Sequence, residues 1–256
     1  MLQTADDDWT KRPLRPILGV MESVKYTLND GIATIVIDDG KRNALAPSVL
    51  SGINAALDRA EADGAVVIIT GREDVFSAGF DLKVMQRGGA TAIGMLRAGY
   101  SLTARVLRYP HPVIAACGGH SMAMGVFLML SADYVIGSRG DYKISANEVA
   151  IGMTMPRVAA AVLRNRLNPG AYQRAVALAE YFDVEGAYRA GFFDELVEVP
   201  ELRSRAEAWA DHFKTLDSSA HRVSKRRMRA ALVRKIRFSL PLDLLDAMLV
   251  GLRRAR

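Results

Sequence analysis

Short apolar runs that alternate with helix-length segments are the feature of this sequence that most restricts its fold. The runs contain many β-branched residues, have the length of buried strands and lie at residues 65–71, 112–117, 134–136 and 195–199. Strands joined through helices favour right-handed crossovers and a largely parallel sheet that is buried on both faces. The sequence therefore predicts an α/β fold.

Turn and cap residues set the limits of several predicted elements. Within residues 24–38, an Asn-Asp-Gly sequence at residues 29–31 separates two apolar segments, which is typical of a β-hairpin. A helix is predicted over residues 47–61, because its apolar residues recur at helical spacing. A further helix is predicted to begin at Asp183 and to end at Gly191, a residue type suited to the left-handed C-terminal cap.

The 256 residues divide into three predicted parts. Residues 1–21 have charged residues and prolines but no apolar segment like that of a secretory signal, so we expect a mobile tail. Residues 22–200 hold every strand signal and form the predicted α/β core. Beyond residue 200 the pattern becomes helical, with a second helix predicted over residues 240–252, so residues 201–256 form the predicted helical section.

Composition excludes several classes of protein. No apolar stretch approaches the roughly 18 residues of a membrane-spanning helix. The one cysteine, Cys117, cannot form an intrachain disulfide or a multi-cysteine metal site, which fits a reducing cytoplasm and predicts no metal. The formal net charge is +6, and residues 222–237 hold eight Lys or Arg and no acid. This run indicates either an anionic partner or, more simply, a solvated helix face.

Three segments carry candidate chemistry. Residues 76–83 (FSAGFDLK) and 118–125 (GGHSMAMG) are small-residue loops before predicted helices, where backbone N–H groups can approach a ligand. In residues 147–152 (NEVAIG), Glu148 lies among apolar residues, whose burial would raise its pKa and suit it to proton transfer. Each segment taken alone is equally consistent with an ordinary turn or a solvated loop.

Taken together, in order and spacing, these segments resemble the crotonase superfamily, the enoyl-CoA hydratases and isomerases, over roughly residues 22–235. The resemblance implies a spiral of repeated β-β-α turns and a C-terminal helical section that assembles trimers or dimers of trimers. Four further matches support it: RNAL at residues 42–45, HPVIAA at 111–116, ADY at 132–134, and the stretch 183–199.

The resemblance also assigns catalytic roles. The backbone N–H groups of Phe80 and Met124 would hold the thioester oxygen as it becomes an enolate, although Met124 stands where most members have glycine. Glu148 matches the family's proton-transferring glutamate. The second glutamate of typical hydratases aligns with Phe127, which cannot move a proton. This departure favours a reaction that needs one carboxylate.

Binding of coenzyme A is implied at four positions. Ala78 and Lys83 would lie near its nucleotide portion, with the lysine facing phosphate, and Leu45 would lie on a flanking loop. Lys225, in the basic run of residues 222–237, is the candidate from the C-terminal section. No cofactor is expected beyond the coenzyme A that the substrate carries.

The leading functional hypothesis is a 3,2-enoyl-CoA isomerase of fatty acid metabolism with Glu148 as its proton shuttle. Hydration of 2-enoyl-CoA, other crotonase reactions and a non-catalytic acyl-CoA-binding protein are the alternatives. RNA binding is the least favoured, because the basic run lacks the interleaved aromatic residues that stack on bases.

Overall fold

The computed structural model describes residues 23–254, and the side chains of residues 23–250. The predicted tail over residues 1–21 lies outside the described residues. The strands are β1 (Val24–Asn29), β2 (Ile32–Ile37), β3 (Ala44–Leu45), β4 (Val66–Thr70), β5 (Val75–Ser77), β6 (Gly79–Phe80), β7 (Val113–Cys117), β8 (His120–Met122), β9 (Tyr134–Ser138), β10 (Ile144–Ser145) and β11 (Glu195–Val197). The helices are α1 (Pro47–Ala62), α2 (Leu82–Arg87), α3 (Gly89–Arg108), α4 (Met124–Met129), α5 (Arg157–Arg166), α6 (Pro169–Leu178), α7 (Val184–Ala190), α8 (Leu202–Lys214) and α9 (Ser218–Arg254).

The main sheet confirms the α/β fold. Its strands are ordered β1-β2-β4-β7-β9-β11, and every neighbouring pair is parallel except the hairpin of β1 and β2. The predicted hairpin turn lies at Asp30 and Gly31, with φ of 44° and 73°. Positive φ at both central residues matches the twist of the two strands, which explains the Asp-Gly pair. The four runs of the sequence analysis are β4, β7, β9 and β11.

A second sheet reveals the repeat of the fold. Strands β5, β8 and β10 form a parallel three-stranded sheet in the order β10-β8-β5. Each successive turn of the chain, β4 to β5, β7 to β8 and β9 to β10, therefore adds one strand to each sheet before it enters helical structure. This arrangement confirms the expected spiral of β-β-α turns. A short parallel pair, β3 with β6, places Leu45 beside Phe80.

Both faces of the main sheet are buried, as predicted. Val67 and Ile69 of β4 belong to the large core that α1 and α3 also line, whereas Val66 and Ile68 point to the opposite face. Helix α8 covers that opposite face with its apolar stripe, which includes Leu202, Ala206 and Ala210. Because both faces are covered, the strands contain continuous apolar runs rather than alternating ones.

The C-terminal helix is longer than predicted. The sequence predicts a helix over residues 240–252, but α9 also includes the basic run and continues through Pro241. It packs along α3 and α5. None of the helices within residues 23–254 combines the length and apolar character needed to cross a membrane.

A buried ion cluster joins α9 to the edge of the main sheet. Asp133, just before β9, accepts from the Lys225 ammonium at 2.5 Å and from the Arg229 guanidinium at 3.0 Å. The same carboxylate accepts from the backbone N–H of Val113 at 2.8 Å. Burial lowers the pKa of Lys225 to about 8 against the opposing effect of Asp133. The basic run is therefore partly a structural element and not simply a solvated face.

A second contact ties α9 to α5. Asp243 accepts from the backbone N–H groups of Arg157 and Val158 at 3.0 and 2.9 Å. It also accepts from the Arg157 guanidinium at 3.0 Å. Because the first N–H groups of a helix have no partner inside the helix, a carboxylate at this point satisfies them and stabilises the helix start.

Candidate active site

Two backbone segments meet at Gly79, as the candidate oxyanion hole requires. Gly79 has a φ of +88°, and a Cβ added to it would lie 3.0 Å from the Met122 carbonyl oxygen and 3.3 Å from the Met124 nitrogen. Only glycine allows this approach at this φ. The loop is further held by Asp81, which caps α2 by accepting from the backbone N–H of Lys83 at 2.7 Å. The structure thus places Phe80 next to the start of α4.

Backbone strain at Ala123 orients the start of α4. Ala123 has φ 48° and ψ −121°, a conformation that costs about 1–3 kcal/mol for a residue with a Cβ and is typical of functional sites. Its N–H donates to the Ser145 carbonyl at 2.8 Å, and its own carbonyl accepts from Phe127. Met124 is therefore the first helical residue, and its N–H has no acceptor within the helix. This N–H is available to a ligand.

Glu148 provides the carboxylate of the site. It lies at the start of a 3-10 turn, Val149–Ile151, and only 6% of its surface is exposed. Its Oε2 has no hydrogen-bond partner among the described residues. Burial raises its pKa from 4.5 to about 7, as the apolar sequence around it predicts. A carboxyl with this pKa can both accept and return a proton near neutral pH.

Tyr100 of α3 belongs to the site, and the sequence analysis missed it. Its ring meets the Phe80 ring edge-on, with centroids 5.7 Å apart, and the residue is 3% exposed. Burial raises the pKa of the phenol well above its usual value, and the charges of Glu148 and Asp243 raise it further. Its contact with Phe80 depends on the packing of α3, so no local signal in the sequence could have found it.

Gly99 explains how the large side chains of Phe80 and Met124 both fit beside α3. A Cβ at Gly99 would overlap the Phe80 ring and would lie 3.4 Å from the Met124 sulfur. The missing side chain in α3 therefore leaves room for Phe80 and Met124. The sizes of residues 80, 99 and 124 are therefore complementary, and a larger side chain at one of these positions would need a smaller one at another.

We expect Gly99→Ala to lower the free energy of unfolding by about 1–3 kcal/mol, because the added methyl group displaces the Phe80 ring. Gly94→Ala in the same helix is the matched control, since a Cβ there meets nothing within 4 Å. The control should raise stability by about 1 kcal/mol, because alanine favours helix more than glycine. Urea unfolding of the two variants checks this, and equal stabilisation by both would contradict the packing described for Gly99.

The residues predicted to bind coenzyme A fall into two groups. Ala78, between β5 and β6, and Lys83, in the first turn of α2, are exposed on either side of Phe80, where a large substrate can reach them. Leu45 is completely buried in β3, and its side chain belongs to the core. Lys225 is 5% exposed, and its ammonium is bound by Asp133 and by the carbonyl oxygen of His111 at 3.1 Å. Contacts of all four with coenzyme A stay predictions, and Lys225 already has a structural role.

The candidate site has one buried carboxylate, Glu148, and two backbone segments that meet at Gly79. Phe127, aligned with the second glutamate of hydratases, is buried in α4 and has no group that binds a water molecule. Within residues 23–254, no group of three His, Cys, Asp or Glu side chains could hold a metal ion. Glu148 is therefore the candidate acid-base group of this site.

Comparisons with known proteins agree with this geometry. The family model for enoyl-CoA hydratase/isomerase matches residues 27–243. The probable enoyl-CoA hydratase EchA17 of Mycobacterium avium is 30% identical over 197 residues, which cover 76% of this chain and 76% of that protein. An enoyl-CoA hydratase/isomerase family protein from Pseudomonas syringae has a crystal structure with a TM-score of 0.86 and 44% identity, covering 87% of this chain and 97% of that one. The apo structure of an enoyl-CoA isomerase from Mycobacterium tuberculosis gives a TM-score of 0.84 and 44% identity, covering 88% and 98%.

Proposed function

The chain belongs to the enoyl-CoA hydratase/isomerase family of the crotonase superfamily, and from this membership we propose that it moves the double bond of a 3-enoyl-CoA to the 2 position. The observation that carries the proposal is a buried Glu148 with a pKa of about 7, whose Oε2 has no hydrogen-bond partner among the described residues. It is supported by the sequence resemblance, in which Phe127 stands at the position of the second carboxylate of hydratases. Migration of the double bond needs one proton shuttle, whereas water addition in this family uses two carboxylates.

The proposed reaction transfers one proton between two carbons. The ionised Glu148 removes a proton from C2, and the electrons of that C–H bond delocalise over C1 to C4 and the thioester oxygen as a dienolate. Protonated Glu148 then returns the proton to C4, which leaves the double bond between C2 and C3. The backbone N–H groups of Phe80 and Met124 stabilise the oxygen while it carries negative charge, and this lowers the barrier because the charge develops only during the reaction.

The same proposal places the rest of the substrate. The coenzyme A portion lies over the exposed Ala78 and Lys83, and the acyl chain lies against the apolar side chains near Phe80 and Met124. Coenzyme A arrives as part of the substrate, and no separate cofactor takes part. The apolar lining suits the acyl chains of fatty acid metabolism.

An assay of the purified protein with 3-enoyl-CoA and, separately, with 2-enoyl-CoA tests the function. We expect conversion of the 3-enoyl substrate to its 2-enoyl isomer, followed by absorbance and mass spectrometry. Addition of water to 2-enoyl-CoA as the faster reaction would make the protein a hydratase. Binding of both thioesters without turnover of either would make it an acyl-CoA-binding protein.

We further propose assembly into a trimer or a dimer of trimers through the C-terminal section. Support comes from the second half of α9, which exposes Phe238, Leu242, Leu245 and Leu249 at helical spacing in the single chain.

A cytoplasmic location is proposed from the single cysteine, which is buried and free.

A further inference from the structure

We propose that the groove between α3 and α9 is a second binding site, separate from the candidate active site, for a small molecule that carries two or more phosphate groups. The groove has a volume of about 530 Å³, a size typical of small-molecule sites. Four of its lining residues are apolar, and the other five are arginines: Arg108, Arg226, Arg229, Arg234 and Arg237. No acidic side chain within residues 23–250 lines it.

The exposed arginines of the groove have no carboxylate to balance their charge. The side chains of Arg226, Arg234 and Arg237 have neither a hydrogen bond nor an ion pair within residues 23–250. Arg108 of α3 donates to the Ala104 carbonyl oxygen of its own helix at 3.3 Å, which leaves its charge unopposed. Like charges this close together are unfavourable on a helix. An anion bound between them would remove the repulsion.

The spacing of the arginines on α9 suits more than one phosphate. Residues 226, 230, 234 and 237 recur every three or four positions, so they form one stripe of the helix along the groove. This stripe is about 16 Å long. Each guanidinium has its donors in a planar fork that matches two oxygens of a phosphate group. Several such forks in a row favour a ligand with consecutive phosphates over a single small anion.

Arg229 adds a buried donor to the lining of the groove. It is 5% exposed, and its terminal nitrogens donate to the carbonyl oxygens of Ser131 and Ala132, each at 2.9 Å. Its Nε has no hydrogen-bond partner within residues 23–250. Asp133 lies 3.0 Å from the same guanidinium but also pairs with Lys225, so it balances only part of the positive charge. A buried cationic N–H without an acceptor is unfavourable, and a phosphate in the groove would bring an acceptor close to it.

The groove lies away from the candidate active site. Helix α3 contacts Phe80 at Gly99, whereas it borders the groove with Leu107 and Arg108 at its C-terminal end. From Gly99 to Arg108 the helix rises about 13 Å. A ligand in the groove and a thioester held at the N–H of Phe80 can therefore be bound at the same time.

Isothermal titration calorimetry with inorganic triphosphate tests the site. Arg226→Gln combined with Arg234→Gln should weaken binding by roughly tenfold or more, because each removes hydrogen bonds from a charged donor. Arg227→Gln combined with Lys235→Gln is the matched control. Both control residues are exposed, follow a groove arginine directly in the sequence and lie outside the groove lining, and their loss removes the same charge. The control should bind within about twofold of the parent, because exposed charges outside the site are screened by salt.

A second titration in the presence of a saturated acyl-CoA separates the groove from the candidate active site. We expect the affinity for triphosphate to be unchanged, and displacement by the thioester would overturn the proposal by assigning the groove to the substrate. Absence of triphosphate binding, or equal weakening in both double variants, would also overturn it. So would a single-stranded RNA that binds far more tightly than triphosphate and is lost in the groove variant, because the groove would then be a nucleic-acid site.

Thermal unfolding and light scattering verify that both double variants fold and assemble like the parent. The titrations need no turnover, so their outcome is independent of the isomerase assay. Failure of the proposed reaction would leave the groove proposal standing, and loss of triphosphate binding would leave the reaction unaffected.

Discussion

Glu148→Gln is expected to lower kcat for 3-enoyl-CoA isomerisation by roughly 10³–10⁴-fold, toward the upper limit for loss of a general acid-base group. Glutamine has the same shape and can occupy the same cavity, but it neither accepts the C2 proton nor returns one to C4. Steady-state kinetics with a direct binding measurement checks this, and we expect acyl-CoA binding to be retained. Glu73→Gln, at an exposed glutamate, should be unchanged. Full activity in Glu148→Gln would exclude the proposed mechanism.

Glu148→Gln should also change the stability of the protein. This effect depends on pH and is a gain, in contrast to the loss of activity. The free base must be ionised to accept a proton, so activity should rise as the pH passes through about 7. The folded state binds the Glu148 proton more tightly than the unfolded state does. The ionisation of Glu148 therefore leaves the free energy of unfolding unchanged below about pH 4.5 and lowers it increasingly as the pH rises to about 7. A pKa difference of one unit corresponds to about 1.4 kcal/mol, so the rise from 4.5 to about 7 lowers the free energy of unfolding above pH 7 by roughly 3 kcal/mol.

Glu148→Gln should therefore be more stable than the parent protein above pH 7, and the gain should vanish near pH 4. Urea unfolding at pH 4 and pH 8 measures the difference. An equal effect at both pH values would show that folding does not raise the pKa of Glu148, which would contradict the apolar site described. Loss of activity together with a gain in stability is the expected pattern for a charge that is buried for catalysis.

Asp133→Ala is expected to lower the free energy of unfolding by about 3–5 kcal/mol, because it leaves Lys225 and Arg229 buried without their shared carboxylate. Urea unfolding checks this, and Asp211→Ala is the control. Asp211 pairs with Lys214 on the surface, where its removal should have far less effect. Unfolding of Asp133→Ala at the parent's urea midpoint would contradict the structural role of the cluster.

A combined variant separates lost charge pairing from lost packing. Adding Lys225→Met and Arg229→Met to Asp133→Ala removes both uncompensated cations and keeps side chains of similar length. Much of the lost stability should return, because a buried ion cluster replaced as a whole by apolar groups is often no less stable. A further loss of stability would show that the two cations contribute through contacts other than Asp133, such as the Ser131 carbonyl that Arg229 reaches at 2.9 Å.

Local signals predicted the fold wherever neighbouring residues determine it. Asp183 caps α7 by accepting from the Gly186 N–H at 2.6 Å, and Gly191 ends the helix at a φ of 98°, both as predicted. The short strands β3, β5, β6, β8 and β10 have two or three residues, too few for a periodic pattern. The basic part of α9 is bound to the sheet by Asp133, which lies 92 residues before Lys225 and gives no signal near the basic run.

In the candidate site, too, the sequence predicted what neighbouring residues determine and not what distant contacts determine. The motifs located the segments of Phe80, Met124 and Glu148, and the structure brings the first two together. Burial of Glu148 followed from the apolar residues beside it. Tyr100 could not be found in this way, because its contact with the Phe80 ring arises from the packing of α3 and not from any spacing along the chain.

The position of α9 in the chain also determines the order in which the protein can be completed during synthesis. Helices α3 and α5 and the sheet edge at Asp133 leave the ribosome before α9, so their surfaces toward α9 stay exposed to water until that helix has been made. Until then Asp133 lacks the cations of α9, and the start of α5 lacks the Asp243 carboxylate. The helix that follows the Glu148 segment therefore receives the carboxylate at its start only after α9 has been made.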